Sequence, residues 1–183
     1  MKELVFFLEE PSASAMLDGL LPKILSEDVM YRKIVFEGKQ DLEKRVMKRM
    51  QGYLNPEARF VILRDKDSAD CNVLKTELRN KCIEANRPDT LIRIACYELE
   101  SWYLADLAAV EKGLNIPGLT NLQDKRIFRR PDRTPNPANE LQRIASNYQK
   151  VSGSRAIGPY LDPENTRSDS FRVFIEGIRR LAT

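Results

Sequence analysis

Four short apolar runs, each followed by a stretch of helical periodicity, constrain what this chain can fold into more than any other feature. Glu3–Leu8 (ELVFFL), Tyr31–Phe36 (YRKIVF), Arg59–Leu63 (RFVIL) and Leu91–Ala95 (LIRIA) have the length of strands. The first is nearly continuous in apolar residues, as a strand buried on both faces requires. Between the runs, apolar residues recur every three or four positions: Leu17, Leu20, Leu21 and Ile24, then Leu42, Val46, Met47 and Met50, then Leu74, Leu78, Cys82 and Ile83. That spacing predicts a helix after Pro11 with Ser12 or Ser14 as its cap, and helices over Asp41–Tyr53 and Cys71–Ala85. A further helix is expected over Glu98–Lys112, and Pro22 is expected to kink or end the first. Strands alternating with helices of this length predict crossover connections. The fold class is therefore α/β, with a Rossmann-like, mainly parallel four-stranded sheet flanked by helices.

Beyond Lys112 the pattern changes. Pro117, Pro131, Pro135 and Pro137 stand among charges, so residues 113–139 read as an irregular excursion. A short helix is expected over Asn139–Tyr148. A last one, capped by Ser168 or Ser170, should run to Leu181 with Phe171, Phe174, Ile175 and Ile178 as its buried stripe. A chain of 183 residues suffices for one core plus an appendage but not for two full domains. The expected division is an α/β core over 1–112 and a mostly helical, basic extension over 113–183 packing on it. Charge supports that division: residues 1–123 hold 18 Lys/Arg against 20 Asp/Glu, whereas 124–183 hold 12 against 7. A basic tail suits an anionic partner such as nucleic acid. The plainer reading is a solvated basic surface.

The chain contains no histidine. This removes the usual Ser-His-Asp and Cys-His nucleophile mechanisms and the His-rich zinc and iron sites. Cys71, Cys82 and Cys96 fit no metal or redox spacing and read as reduced core thiols, which places the chain in the cytoplasm. No apolar run approaches a membrane span, and MKELVFFLEE lacks the shape of a signal peptide. Any chemistry must then fall to carboxylates, lysine, tyrosine, serine or a hard metal ion, and carboxylate-bound Mg²⁺ or Mn²⁺ fits best.

In parallel sheets, sites lie beyond the carboxyl ends of the strands. Here each end carries acid: Glu9-Glu10, Glu37, Asp65-Lys66-Asp67, and Glu98 with Glu100. Single acids at such places can be helix caps, and Asp70 reads as either a cap or an outer ligand. If the strand geometry persists, Asp65 and Asp67 project to the same side. Trp102, Tyr103 and Leu104 read as packing residues.

A buried strand ending in Glu, two βα units, then a strand ending in Asp-x-Asp resembles the TOPRIM domain of topoisomerases, bacterial primases and nucleases of the overcoming-lysogenization-defect type. The resemblance covers about residues 1–110 and makes the sheet TOPRIM-type. FEGKQDLE, RDKDSADC, ELESWYLADLAAVE and YQKVSGSRAIGPYL also resemble an uncharacterised bacterial family of stand-alone TOPRIM-like proteins. The resemblance implies Glu9, Asp65 and Asp67 as ligands of Mg²⁺ or Mn²⁺, with Glu9 catalytic. Glu10, Asp70, Glu98 and Glu100 would be secondary ligands or would support the primary ones. Glu10 stands where TOPRIM proteins usually have glycine.

The resembling nucleases use a lysine beyond their last acids, a role that falls here on Lys150. In Lys150-Val151-Ser152-Gly153-Ser154-Arg155, Lys150, Ser152 and Arg155 would bind phosphate, with Lys150 steadying its charge. The segment lacks Walker A spacing, and its plainer reading is a turn and helix start capped by Ser152 or Ser154. The expected function is a metal-dependent nuclease or related phosphoryl-transfer enzyme acting on nucleic acid. Alternatives are a non-catalytic TOPRIM-like subunit that binds nucleic acid or a separate ATPase protein in antiphage defence, and a small-nucleotide phosphohydrolase.

Overall fold

All four apolar runs lie in one sheet of a computed structural model that describes residues 2–183. The strands are β1 (Glu3–Leu8), β2 (Met30–Val35), β3 (Arg59–Asp65) and β4 (Leu91–Ala95), in the order β2-β1-β3-β4. Every pairing is parallel, with Leu8 level with Val35 on one side and Leu63 on the other. This is an α/β architecture consistent with the Rossmann-like TOPRIM fold. Residues 3–8 and 59–63 are adjacent, in the two central strands.

The period-two geometry of a strand explains why the runs are apolar without interruption. Leu4, Phe6 and Leu8 of β1 and Val61 and Leu63 of β3 enter one core. Val5, Phe7, Phe60 and Ile62 enter the other. The second core is closed by α2 (Lys39–Gln51) and α3 (Cys71–Glu84), through Leu42, Val46, Met50, Leu74, Leu78 and Cys82. The first is larger. It is closed by α1 (Pro11–Ile24) and by most of the chain after β4, down to Phe171, Phe174, Ile175 and Ile178 of α9 (Asp169–Ala182). Ser168 caps α9 by accepting from the Phe171 amide, as expected.

Three expectations are corrected. The helix expected over 98–112 is two, α4 (Glu100–Leu104) and α5 (Leu107–Leu114). Asp106 breaks it: its carboxylate caps α5 by accepting from the Ala109 amide and also accepts from the Asp162 amide, so this acid is buried, not a surface group. Serine does not cap α1. Glu10 holds the cap position without a side-chain bond, while Ser12 is buried inside the helix. Pro22 does not end α1 at once, since the helix runs two residues further to Ile24.

The irregular stretch holds short turns and the one-turn α6 (Arg126–Arg129), followed by α7 (Pro137–Ile144) and α8 (Lys150–Ile157). Gly19 of α1 and Gly158 at the end of α8 allow backbone contact between the two helices. A Cβ at Gly158 would overlap the Met16 carbonyl, and one at Gly19 would overlap Pro159. The strand order reverses between β1 and β3. That makes their carboxyl ends the topological switch point, where open α/β sheets form their crevices.

Candidate functional site

Strand parity decides which way each acid at the switch point faces. Asp65 shares parity with Val61 and Leu63 and so points to the α1 side, as does Glu10, which continues Leu4, Phe6 and Leu8. Glu9 and Arg64 share parity with the residues of the other core and point to the α2 side. The two sets meet across the sheet end, where Glu9 Oε2 accepts from the Asp65 amide at 3.2 Å.

On the α2 side the acids have cations. The buried Arg64 guanidinium pairs with Glu43 of α2 and lies 3.6 Å from Glu9 Oε2. Asp67 pairs with Lys39 at 2.9 Å, and its carboxylate holds the lysine above its ordinary value. Asp67 has left the strand geometry. Its φ is +52°, and its amide donates to the Tyr97 carbonyl after Lys66 has donated to Ala95. The expectation that Asp65 and Asp67 project side by side is therefore not met, because β3 ends at Asp65 and the chain turns left-handed two residues later.

On the α1 side carboxylates exceed cations. Asp65 is buried, and burial raises its pKa well above the usual carboxylate range. Glu100, Glu9 and Glu10 raise it further, while Lys150 opposes them. Glu100, wholly buried at the start of α4, is likewise raised by burial. One of its oxygens accepts from the Tyr148 hydroxyl at 2.8 Å, and the other has no partner among the described residues. Lys150, at the start of α8, reaches Glu10 at 3.1 Å. Partial burial works against its charge, but Glu100, Glu10 and Asp65 outweigh it and raise its pKa.

Among the described residues the buried hydroxyls of Ser12 of α1 and Ser101 of α4 also lack partners, while those of Tyr103 of α4 and Ser154 of α8 lie close to one another. Buried polar groups are normally hydrogen-bonded, so partnerless hydroxyls on helices of the larger core are unusual. Burial drives the Tyr103 and Tyr148 phenols upward, and both stay protonated donors.

Sequence reasoning had not assigned Tyr148, Tyr103 or Arg64 to the site. Tyr148 lies past the end of α7, and Gly153 makes room for it, since a Cβ there would overlap its ring. For Arg64 a signal existed, a lone cation inside an apolar run directly before the acid.

The other expected residues are elsewhere. Asp70 caps α3, accepting from the Asn72 and Val73 amides. Glu98 accepts from the Ala138 amide at the start of α7. Ser152 and Arg155 are exposed, on the face of α8 opposite Lys150, Gly153, Ser154 and Ile157. Among the described residues, no three Asp, Glu or Cys side chains already converge on one point in a metal-binding arrangement. The donor set nonetheless fits a hard divalent cation. It consists of carboxylate oxygens alone, and it includes the partnerless oxygen of Glu100 beside the buried Asp65.

Residues 8–179 match a protein family described as a domain of unknown function (DUF4276). No curated protein matches the chain. Among solved structures, the C-terminal region of the Burkholderia pseudomallei OLD protein superimposes with a TM-score of 0.54 at 12% identity, covering 98% of each chain. The C-terminal region of the Xanthomonas campestris pv. campestris OLD protein gives 0.52 at 14% identity, covering 98% of this chain and 95% of that one. At such identities the likeness is one of fold.

Proposed function

This chain belongs to the DUF4276 family, and from its OLD-like fold and the surplus of carboxylates at its switch point we propose a divalent-metal-dependent nuclease with a TOPRIM-type domain. The single observation that carries the reading is the pair of buried carboxylates Asp65 and Glu100, with half-buried Glu9 and Glu10 beside them and repelling them. Such a set is costly unless acids protonate or a cation joins them. Asp65, Glu100 and Glu9 would hold Mg²⁺ or Mn²⁺, with Glu10 beside them. Asp67 is the outlying member, since it faces Lys39. A metal bound there supplies Lewis acidity toward a phosphoryl oxygen and lowers the pKa of bound water.

The remaining work belongs to the chain's own side chains. Without metal, burial holds Glu9 above its ordinary value against the Asp65 amide and Arg64, which lower it, and Asp67 and Glu10 add to the rise; a bound cation would remove that cost. Lys150 stays charged among carboxylates, so it acts by steadying phosphate charge rather than as a base. Tyr148 fixes one oxygen of Glu100 and leaves the other free to point at the site. The three unpaired cysteines support a cytoplasmic setting. No helix among the described residues is long and apolar enough to cross a membrane.

The test is a cleavage assay on single- and double-stranded DNA and RNA with Mg²⁺ and Mn²⁺, comparing the parent with Asp65→Asn. Metal-dependent cleavage lost in the variant is the expected result. No cleavage of any substrate would favour the second reading, a non-catalytic subunit that binds nucleic acid or a separate ATPase protein. The observation behind that reading is the absence of three converged acids among the described residues.

A further inference from the structure

The basic residues of the tail are not equivalent in the fold. Arg129 is turned back on its own segment, its guanidinium bonded to the Asp124 carbonyl. Arg126, Arg130 and Arg133 instead line an open cleft of about 530 Å³ together with Ile127, Thr134 and Pro135. All three are exposed. Among the described residues, none of them forms an ion pair or a side-chain hydrogen bond. Three guanidiniums around one concavity repel one another, and the cleft offers them no carboxylate.

The backbone beneath is fixed. Phe128 is buried, the Thr134 hydroxyl donates to the Ile127 carbonyl, and the buried Gln123 amide reaches the Phe128 carbonyl. Asp132 accepts from the Ser168 hydroxyl and the Ser170 amide, which ties the segment to the start of α9. These arginines are therefore carried on a rigid platform, and only their side chains need ordering when a ligand binds.

Through Pro135 this cleft adjoins a second one, of about 280 Å³, lined by Asp67, Ser68, Tyr97, Glu98 and Asn136. That one opens at the carboxyl ends of β3 and β4. Asp67, Tyr97 and Asn136 all have positive φ, at 52°, 60° and 50°. Such backbone in non-glycine residues is uncommon and tends to collect at binding sites. Lys66 lies 4.7 Å from the centre of the Tyr97 ring. The two clefts together lead from three unpaired guanidiniums, past an aromatic ring with a cation on it, to Asp67 and Glu98 at the ends of β3 and β4.

We propose that Arg126, Arg130 and Arg133 bind the phosphodiester backbone of a single nucleic-acid strand that continues over Tyr97 to the switch point. This deepens the nuclease reading and rests on it for the direction of the strand. Guanidinium forks match phosphate oxygens, while the Ile127 and Pro135 floor suits sugars and bases.

The test is fluorescence anisotropy of a labelled single-stranded DNA oligomer in EDTA, so that neither metal nor cleavage contributes. The Arg126→Ala/Arg130→Ala/Arg133→Ala variant should lose about tenfold or more in affinity, and its log–log salt slope should fall by about two, as expected for three lost phosphate contacts on a single strand. Arg129→Ala should change affinity less than about twofold, because its guanidinium is already engaged. A glutamine triple variant provides the same reading if the alanine variant fails to fold. Equal losses in the triple variant and Arg129→Ala, an unchanged salt slope, or no binding by the parent would overturn the proposal. So would competition by free triphosphate at concentrations as low as those of the oligomer, which would mark a small-nucleotide site. The carboxylate reading fails separately, by loss of the Mn²⁺-induced rise in melting temperature. The arginine variants should keep that rise.

Discussion

The two sides of the sheet end handle charge in opposite ways. Toward α2, Glu9 and Glu43 share Arg64, and Asp67 has Lys39. Toward α1, Glu10, Asp65 and Glu100 crowd around Lys150 alone, beside hydroxyls without partners. On the α2 side every acid has a cation within reach, two cations serving three acids, and the set holds as it stands. The α1 side is left short of positive charge, and a buried deficit of that sign is what a cation removes. The contrast locates the site more sharply than the number of acids does, because both sides are rich in them.

The largest effect should come from the paired side. Arg64→Met leaves Glu9 and Glu43 without their buried partner and should cost about 3 kcal/mol in urea unfolding. A loss near zero would mean that the guanidinium is not what balances that side. Next is Tyr148→Phe, which leaves both Glu100 oxygens without a partner. It should cost about 1.5 kcal/mol and weaken Mn²⁺ binding by calorimetry. A stability loss with unchanged Mn²⁺ affinity would make Tyr148 a packing residue only.

Asp65→Asn should behave oppositely. In EDTA it should raise stability by about 1 kcal/mol, the scale of a typical substitution, and abolish the metal-induced shift in melting temperature. Its pH dependence carries the same sign. Because Asp65 is raised in the folded state, the native protein holds a proton that the unfolded chain has released. Stability therefore falls as pH rises from the ordinary carboxylate range through the raised value, and it is greatest below that window. Asp65→Asn should flatten this fall in thermal melts from pH 4 to 8. The smallest effect belongs to Asp67→Asn, which breaks an exposed pair and should change metal-free stability by no more than about 0.5 kcal/mol.

Most of the sheet was legible from period alone, because Leu4–Leu8 of β1 and Phe60–Leu63 of β3 each enter one of two cores and both cores demand apolar residues. The strand-end acids followed from the same pattern. The partners of those acids did not. Lys39 reaches Asp67, and Tyr148 reaches Glu100, across intervals that no local periodicity encodes. The unbroken helix expected over 98–112 failed for a local reason that the sequence did contain, since Asp106 with an amide three residues on is a capping arrangement. Asp-x-Asp does not keep its strand spacing because Asp67 lies two residues past the strand, where the hydrogen bonds from Lys66 to Ala95 and from Asp67 to Tyr97 already bend the chain.

Gly19 and Gly158 have a mechanical consequence. Glu10 stands at one end of α1 and Lys150 at one end of α8, and the two helices touch backbone to backbone at these glycines with no side chain between. The separation of acid and lysine is therefore registered against a hard stop and not cushioned by adjustable rotamers. A methyl group at Gly158 would act as a shim, pushing α8 off α1 and carrying the ammonium group at its opposite tip away from Glu10. Positional tolerance at the site is thus set at the other end of the helix, by atoms that carry no charge.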